Sequence, residues 1–381
     1  ITINPNSTET IDGLLDLKLR NEHSEATLIC DGSNWHIQSH ENVAIEYNAA
    51  ENGSFLVDQY SHITRTGLGG SNALTQDRWG IATGDSPSGR WTYSTGTGGG
   101  IDGKSKWGKF LCTTADSPGT GDTQIIRQSI IGNNMVGAGF LGTDGFFENM
   151  VISFDIIVHA DGASSISFPA TVGMGLILSD GTSREIIHDV SVAAADTWQR
   201  VYWVVPEDGT ADIDPGVTAQ VIFSISLVSG SGRQGTADTW ANTGNKYATS
   251  SSDNICDATA NYLGITNVKF QPGQIATPFI PRLYEEELEI CKFYFEKRIN
   301  ANTYSPLANA FTRTTTIAAG FYGYSEKRAA PTIAFSGATE FGVTHSDTSD
   351  TQTSAVTAED IHSTGCRLKF TVGSGLTAGD G

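Results

Sequence analysis

The chain has 381 residues, of which 17% are charged, 38% hydrophobic and 43 are glycine. This composition suits short strands joined by turns, and its patterning excludes coiled coil and collagen. Its formal charge of −19 repels phosphate backbones and anionic lipid, which argues against nucleic acid and membrane-surface partners.

Residue 1 begins inside the alternation ITI, with neither a charged leader nor an apolar run of membrane-spanning length, so the chain reads as starting in mid-element. Residues 1–45 give short apolar alternations broken by turn formers, a β-stalk or trimerisation module. In TLICDGSNWHI, Asp31, Gly32, Ser33 and Asn34 lie between two apolar runs and predict a hairpin. So little core needs a partner surface, most simply another copy of the chain. Residues 46–75, polar and rich in Gly and Asn, read as a linker or neck.

From Asp77 strand-like runs follow at regular intervals, from DRWGIA through RWTYS, KWGKFLCTT, TQIIRQSII and MVISFDIIVHA to YLGITNVKF. Turn signals every 10 to 20 residues, without an amphipathic helix between them, predict an all-β jelly-roll β-sandwich over 76–283. In TWQRVYWVVP, alternation puts Trp198, Arg200, Tyr202 and Val204 on one face and Val201, Trp203 and Val205 on the other. Both faces carry apolar bulk, which reads as a central strand with Trp198 and Trp203 in the core.

One helix is predicted, Tyr284 to Arg298, inside a connecting segment over 284–299. Pro281 precedes it, three glutamates fill its first turn, and Lys292, Lys297 and Arg298 stand near its end. Tyr284, Leu288, Cys291 and Phe295 form its apolar stripe. Residues 300–381 read as a small C-terminal β domain.

Three motifs invite chemistry. GGGIDGKS, Gly98 to Ser105, has phosphate-loop spacing but lies between two strand-like runs, where no helix N-terminus can meet a phosphate, so it reads as a hairpin loop. GDS at Gly84 to Ser86 resembles a Ser-hydrolase nucleophile block, but Pro87 and Gly89 follow where a helix should start, and no Asp-x-x-His completes a triad. His36 and His40 have the i, i+4 spacing of a helical metal pair, yet lie in a strand, where that spacing does not focus two imidazoles. The chain is read as non-catalytic. No cofactor is indicated; surplus carboxylates are able to hold Ca²⁺, but no spacing assigns a site. The five cysteines lack a C-x-x-C pair and read as free thiols.

The stretch VKFQPGQIATPFIPRLYEEELEICKFYFEKR resembles a signature of bacteriophage tail fibre and related virion proteins, with matches at Gly273, Ala276, Thr277, Pro278, Phe279, Pro281, Arg282, Glu287, Leu288, Cys291 and Tyr294. It departs where that family has Arg-Tyr-Tyr, here replaced by Lys292 to Phe295. DRW at 77–79, TWQR at 197–200 and KRAAPTIAFSG at 327–337, similar to the family's M-R-A-A-P-T strand, agree in order. The resemblance implies a homotrimeric fibre on the exterior of a phage particle, contacting other virion proteins, with a jelly roll like a carbohydrate-binding module. The motif residues read as architectural. Sugar contact falls to aromatics beside turns, Trp91, Tyr93, Trp107, Trp240 and Tyr247, because aromatic faces stack on pyranose rings. The expected function is adsorption to a host-surface polysaccharide. The alternative is a purely structural virion protein, a head fibre, decoration or tail-assembly subunit, without a sugar ligand.

Overall fold

A computed structural model describes residues 2–3, 9, 11, 17–18, 25–41, 48–60, 64–68, 73–85, 89–137, 140, 146–147, 150–178, 184–212, 219–242, 245–298, 306–345 and 349–379. The chain is all-β and divides into two compact units, Ile1–Tyr284 and Glu285–Gly381.

In the first unit, β1 (Thr2–Ile3) pairs with β2 (Leu17–Lys18), and β3 (Glu25–Cys30) with β4 (Trp35–Glu41). The β3–β4 turn is the DGSN hairpin expected from sequence. Asp31 Oδ1 accepts the N–H groups of Ser33 and Asn34 at 2.8 and 2.7 Å, and Gly32 takes the left-handed φ of 96° that the turn requires.

Two six-stranded antiparallel sheets form the sandwich. The first runs, in spatial order, β15 (Gln199–Val205), β12 (Met150–His159), β18 (Tyr262–Pro272), β9 (Ser105–Cys112), β8 (Trp91–Gly99) and β5 (Thr64–Leu68). The second runs β14 (Arg184–Val192), β13 (Ala170–Leu178), β17 (Ala219–Ser229), β10 (Thr123–Ile131), β7 (Trp79–Gly84) and β6 (Ala73–Gln76). A short helix α1 (Gly132–Gly137) and the small pair β11 (Phe146–Phe147) and β16 (Asp208–Asp212) complete the unit. The chain passes repeatedly from one sheet to the other, as between β12 and β13 and between β17 and β18, so side chains of the two inner faces interdigitate in one core.

Trp79, Trp91, Tyr93, Phe55, Phe110, Phe154, Phe223 and Phe270 are fully buried there. Phe55 stacks on Trp79 with ring centroids 5.2 Å apart. Phe55 lies in the region assigned from sequence to a linker, and that assignment is corrected. Ala49, Ala50 and Val57 are also buried, and β5 and β6 belong to the two sheets. The polar residues that suggested a neck are structural. Asn48 accepts the N–H groups of Ala50 and Phe270 and donates to Val268 O, each at 2.9 Å. Gly53 is needed because a Cβ there would lie 2.2 Å from Val268 O.

The exit from β18 explains the motif residues. Gln271 donates to Ile275 O at 2.8 Å and accepts from the N–H and Oγ1 of Thr277 at 3.1 and 3.0 Å. Lys269 Nζ donates to Thr277 Oγ1 and Pro278 O, and Arg282 donates to the carbonyls of Asn48 and Ala50. Thr277 and Arg282 thus fasten the exit segment to the sandwich.

In the second unit, α2 (Tyr284–Lys292) starts where expected but stops six residues before Arg298. The aromatic run Phe293–Phe295 favours helix poorly, and Phe293 O instead accepts the N–H of Arg328 at 2.9 Å. Tyr284, assigned to the buried stripe, is 47% exposed, whereas Cys291 is buried. A five-stranded sheet follows, ordered β19 (Phe311–Thr314), β20 (Ile317–Gly323), β23 (Gly365–Val372), β22 (Ser349–Glu359) and β21 (Gly342–His345). Leu368, Phe370, Val372 and Leu376 lie in its core. The segment KRAAPTIAFSG is irregular rather than a strand; it contributes Ile333 and Phe335 to that core, and Lys327 donates to Glu296 at 2.8 Å.

Candidate functional site

The outer face of the first sheet carries a constellation of aromatic and polar side chains. On β9 alternation turns Gly108, Phe110 and Cys112 inward and leaves Trp107, Lys109 and Leu111 half-buried outside. Register then sets neighbours across the sheet: Gly264 opposite Lys109 and Ile157, and Tyr262 opposite Leu111 and His159.

Trp107 lies against a floor of glycines. A Cβ on Gly96, Gly99 or Gly264 would come within 2.2, 2.3 or 2.7 Å of its indole ring. No other residue type at these positions leaves room for the ring to lie so close to the backbone. Trp198 meets Trp107 edge-on, with centroids 5.4 Å apart and planes at 85°, and Tyr262 lies 6.3 Å away at 40°. His159 stacks on Tyr262 at 4.9 Å, and Lys109 Nζ sits 4.0 Å from the centre of the same ring.

Polar groups anchor these rings. Asp196 accepts from Tyr262 OH at 3.0 Å and pairs with His159 Nδ1 at 2.9 Å. Burial, then the hydrogen bond to the Asp196 carboxylate, pushes the Tyr262 phenol up to about 12. Farther along the face, Arg200 donates to Asp155 Oδ1 at 3.1 Å, Ser153 Oγ at 2.8 Å and Asn267 O at 2.9 Å. Asp155 is buried, so this pairing and the Asn267 Nδ2 bond at 2.8 Å hold its charge in place.

The GGGIDGKS loop docks beside this network as the β8–β9 hairpin. Ile101 N donates to Asp155 Oδ2 at 3.2 Å and Lys104 N to Asp102 Oδ1 at 3.0 Å. Its amides serve the chain's own carboxylates, and β9, not a helix, follows it. Of the GDS motif, Gly84 ends β7 and Asp85 has φ 56°, while Ser86 lies outside the described residues. His36 pairs with Asp31 at 2.9 Å, and the side chain of His40 lies outside the described residues. Among the described residues, no group of three or more His, Cys, Asp or Glu is placed to hold a metal ion. Among the same residues, no helix is long and apolar enough to cross a membrane.

The five aromatics singled out from sequence do not come together. Trp91 and Tyr93 point into the core and are fully buried; their polar atoms donate to Gln124 and Gln76, so neither presents a face to a ligand. The glycine-rich surroundings that suggested a loop belong to strand β8. Trp240 and Tyr247 lie in the segment after β17, far from Trp107 in the sheet order. Trp240 packs against the core and donates to Pro206 O at 3.1 Å. Only Trp107 joins the outer-face cluster. Trp198, assigned from sequence to the core, is half-buried on that face, and Trp203, 2% exposed, is a core residue. Tyr262 and His159 join the cluster although neither is among those five aromatics. For Tyr262 the available signal is parity: it shares a strand face with Gly264, whose missing Cβ leaves space for the indole of Trp107.

No protein-family model matches the sequence, and no curated protein does. Among solved structures, the enzymatically active domain of tailspike protein 4 of bacteriophage CBA120 is similar at 11% identity and a TM-score of 0.31, over 59% of this chain and 21% of that one. TmCBM61 in complex with β-1,4-galactotriose is similar at 9% identity and TM-score 0.27, over 58% and 97%. The BppUct-A-L tripod from the baseplate of bacteriophage Tuc2009 is similar at 15% identity and TM-score 0.24, over 69% and 66%. The chain spans about a fifth of the tailspike domain it matches, and at these TM-scores none of the three likenesses carries weight for function.

Proposed function

We propose that this chain is a subunit of a phage virion fibre or spike, on the exterior of the particle, that binds host-surface glycan without catalysis. Binding is assigned to the outer face around Trp107, Trp198 and Tyr262. The observation that carries this reading is the indole of Trp107 held against Gly96, Gly99 and Gly264 on a sheet face. A flat, half-buried aromatic offers C–H-rich sugar faces a surface, while Asp196, His159 and Arg200 lie near enough in the register to meet hydroxyls. The virion assignment rests on the ordered motifs from DRW to KRAAPTIAFSG, and the homotrimer on the sparse core of the N-terminal strands, where Ile29 is 48% exposed.

A glycan array with the purified chain tests the reading. One or more glycans should bind, and Trp107→Ala should weaken that binding by about thirtyfold, the loss expected for a central aromatic worth about 2 kcal/mol. Light scattering should give three times the chain mass. An empty array with a well-folded trimer would favour the purely structural virion subunit.

A further inference from the structure

Five cysteines are present, and two of them meet. Cys112 ends β9, and Cys256 lies in the segment leading into β18, 144 residues later. Their Sγ atoms are 2.7 Å apart, well inside the roughly 3.5–4.0 Å at which unbonded atoms pack. The backbones that carry them are held together independently: Cys112 N donates to Asn261 O at 2.8 Å, Ala260 N to Cys112 O at 2.9 Å, and Asp116 N to Cys256 O at 2.7 Å. Both thiols also approach Thr114 O, at 3.4 and 3.3 Å, beneath a segment whose Thr114 and Ala115 are exposed.

We propose that Cys112 and Cys256 form a covalent crosslinking site, closed as an intrachain disulfide by exchange with a low-molecular-weight disulfide such as oxidised glutathione. The Cys112 thiolate attacks one sulfur of the small disulfide; a mixed disulfide forms and one small thiolate leaves, taking up the proton that Cys112 released. The Cys256 thiolate then attacks Cys112 Sγ; the intrachain S–S bond forms, and the second small thiolate leaves with the equivalent of the Cys256 proton. The two cysteines are oxidised and the small disulfide is reduced to two thiols. Cys112 is the suited first nucleophile, because the hydrogen bond from the Cys256 thiol, with Thr114 and Arg90 nearby, lowers its pKa, whereas that same bond and burial raise the pKa of Cys256. Both sulfurs are buried, so exchange proceeds when the segment over them opens or before it closes in folding. The crosslink joins the end of β9, the strand that carries Trp107, to the segment leading into β18, which carries Tyr262, and closes a long loop that restricts the unfolded chain.

The test uses the full chain with Cys30→Ser, which removes the exposed thiol. After incubation with oxidised glutathione and denaturation without reductant, alkylation should show two of its remaining thiols lost. A peptide map should show one crosslinked peptide joining residues 112 and 256, and Tm should rise above that of the reduced chain. Cys112→Ser should abolish the crosslink and the Tm rise. Retention of every remaining thiol, or glutathione adducts without the crosslinked peptide, would overturn the proposal; both readings come from a chain that keeps both cysteines, so they do not depend on the folding of the Cys112 variant.

Discussion

The two sheets of the sandwich have similar inner faces and opposite outer ones. On the first sheet the glycines Gly96, Gly99 and Gly264 make room for the indole of Trp107, and the rings beside it remain half-buried. On the second, Gly173 also faces outward, but there a Cβ would meet Ala248 Cβ and Ser252 Oγ, each at 2.8 Å. The segment after β17 covers that face. Ala241 pairs with Glu185, Glu185 Oε2 accepts the N–H of Lys246 at 2.9 Å, and Ser252 Oγ donates to Asp189 at 2.8 Å. A glycine on a sheet face thus serves either a docked ring or a docked backbone, and only the ring leaves a surface on which a ligand can stack.

The largest effect expected separates core from surface. Trp91→Ala removes a fully buried indole and should cost about 3–5 kcal/mol. Thermal unfolding should show a large loss of Tm, while Trp107→Ala, half-buried, should lose much less; equal losses would erase the distinction between inner and outer aromatics.

A smaller effect should separate the two outer faces. Gly173→Val drives a side chain into a backbone-anchored cover and should cost about 1–3 kcal/mol in denaturant unfolding. Gly264→Val pushes instead against two side chains, the Trp107 ring and the Ile157 Cγ2 methyl, with no backbone atom among the nearest contacts, so it should abolish glycan binding at a smaller cost in stability. If Gly173→Val were neutral and Gly264→Val severe, the assignment of cover and platform would have to be exchanged.

The smallest effect is a titration. The Tyr262 phenol is raised from its ordinary value of 10 to about 12 in the folded chain. Because the folded value is the higher one, the associated stability is fully present below pH 10 and is lost as pH rises through about 12. Phenolate absorbance of the wild type minus that of Tyr262→Phe should rise near pH 12 when folded and near 10 in denaturant. A folded difference titrating at 10 would mean that Tyr262 is neither buried nor bonded to Asp196 as described.

Much of the fold was legible because its signals are local. The DGSN turn, the alternation in KWGKFLC and TWQRVYWVV, and the prolines that stop β18 and precede α2 act over a few residues, and the structure places elements there. Residues 46–75 read as a linker because Asn48, Asn52 and Gly53 look like loop residues in isolation. Asn48 and Gly53 meet Val268 and Phe270 from more than two hundred residues away, and Asn52 donates to Val57 O and Asp77 O.

The sequence by itself determined an all-β chain, its turns, and which side chains of each strand share a face, since a period of two residues follows from backbone geometry alone. Only the tertiary structure decided which face turned inward and what covered the other. Trp91 and Trp107 both stand in polar, glycine-rich strands, yet one is enclosed by the opposing sheet and the other rests on glycines contributed by two neighbouring strands. That outcome depends on the pairing of β8, β9 and β18 and on the segment after β17, which crosses the second sheet. These are contacts between distant residues, which strand alternation does not encode.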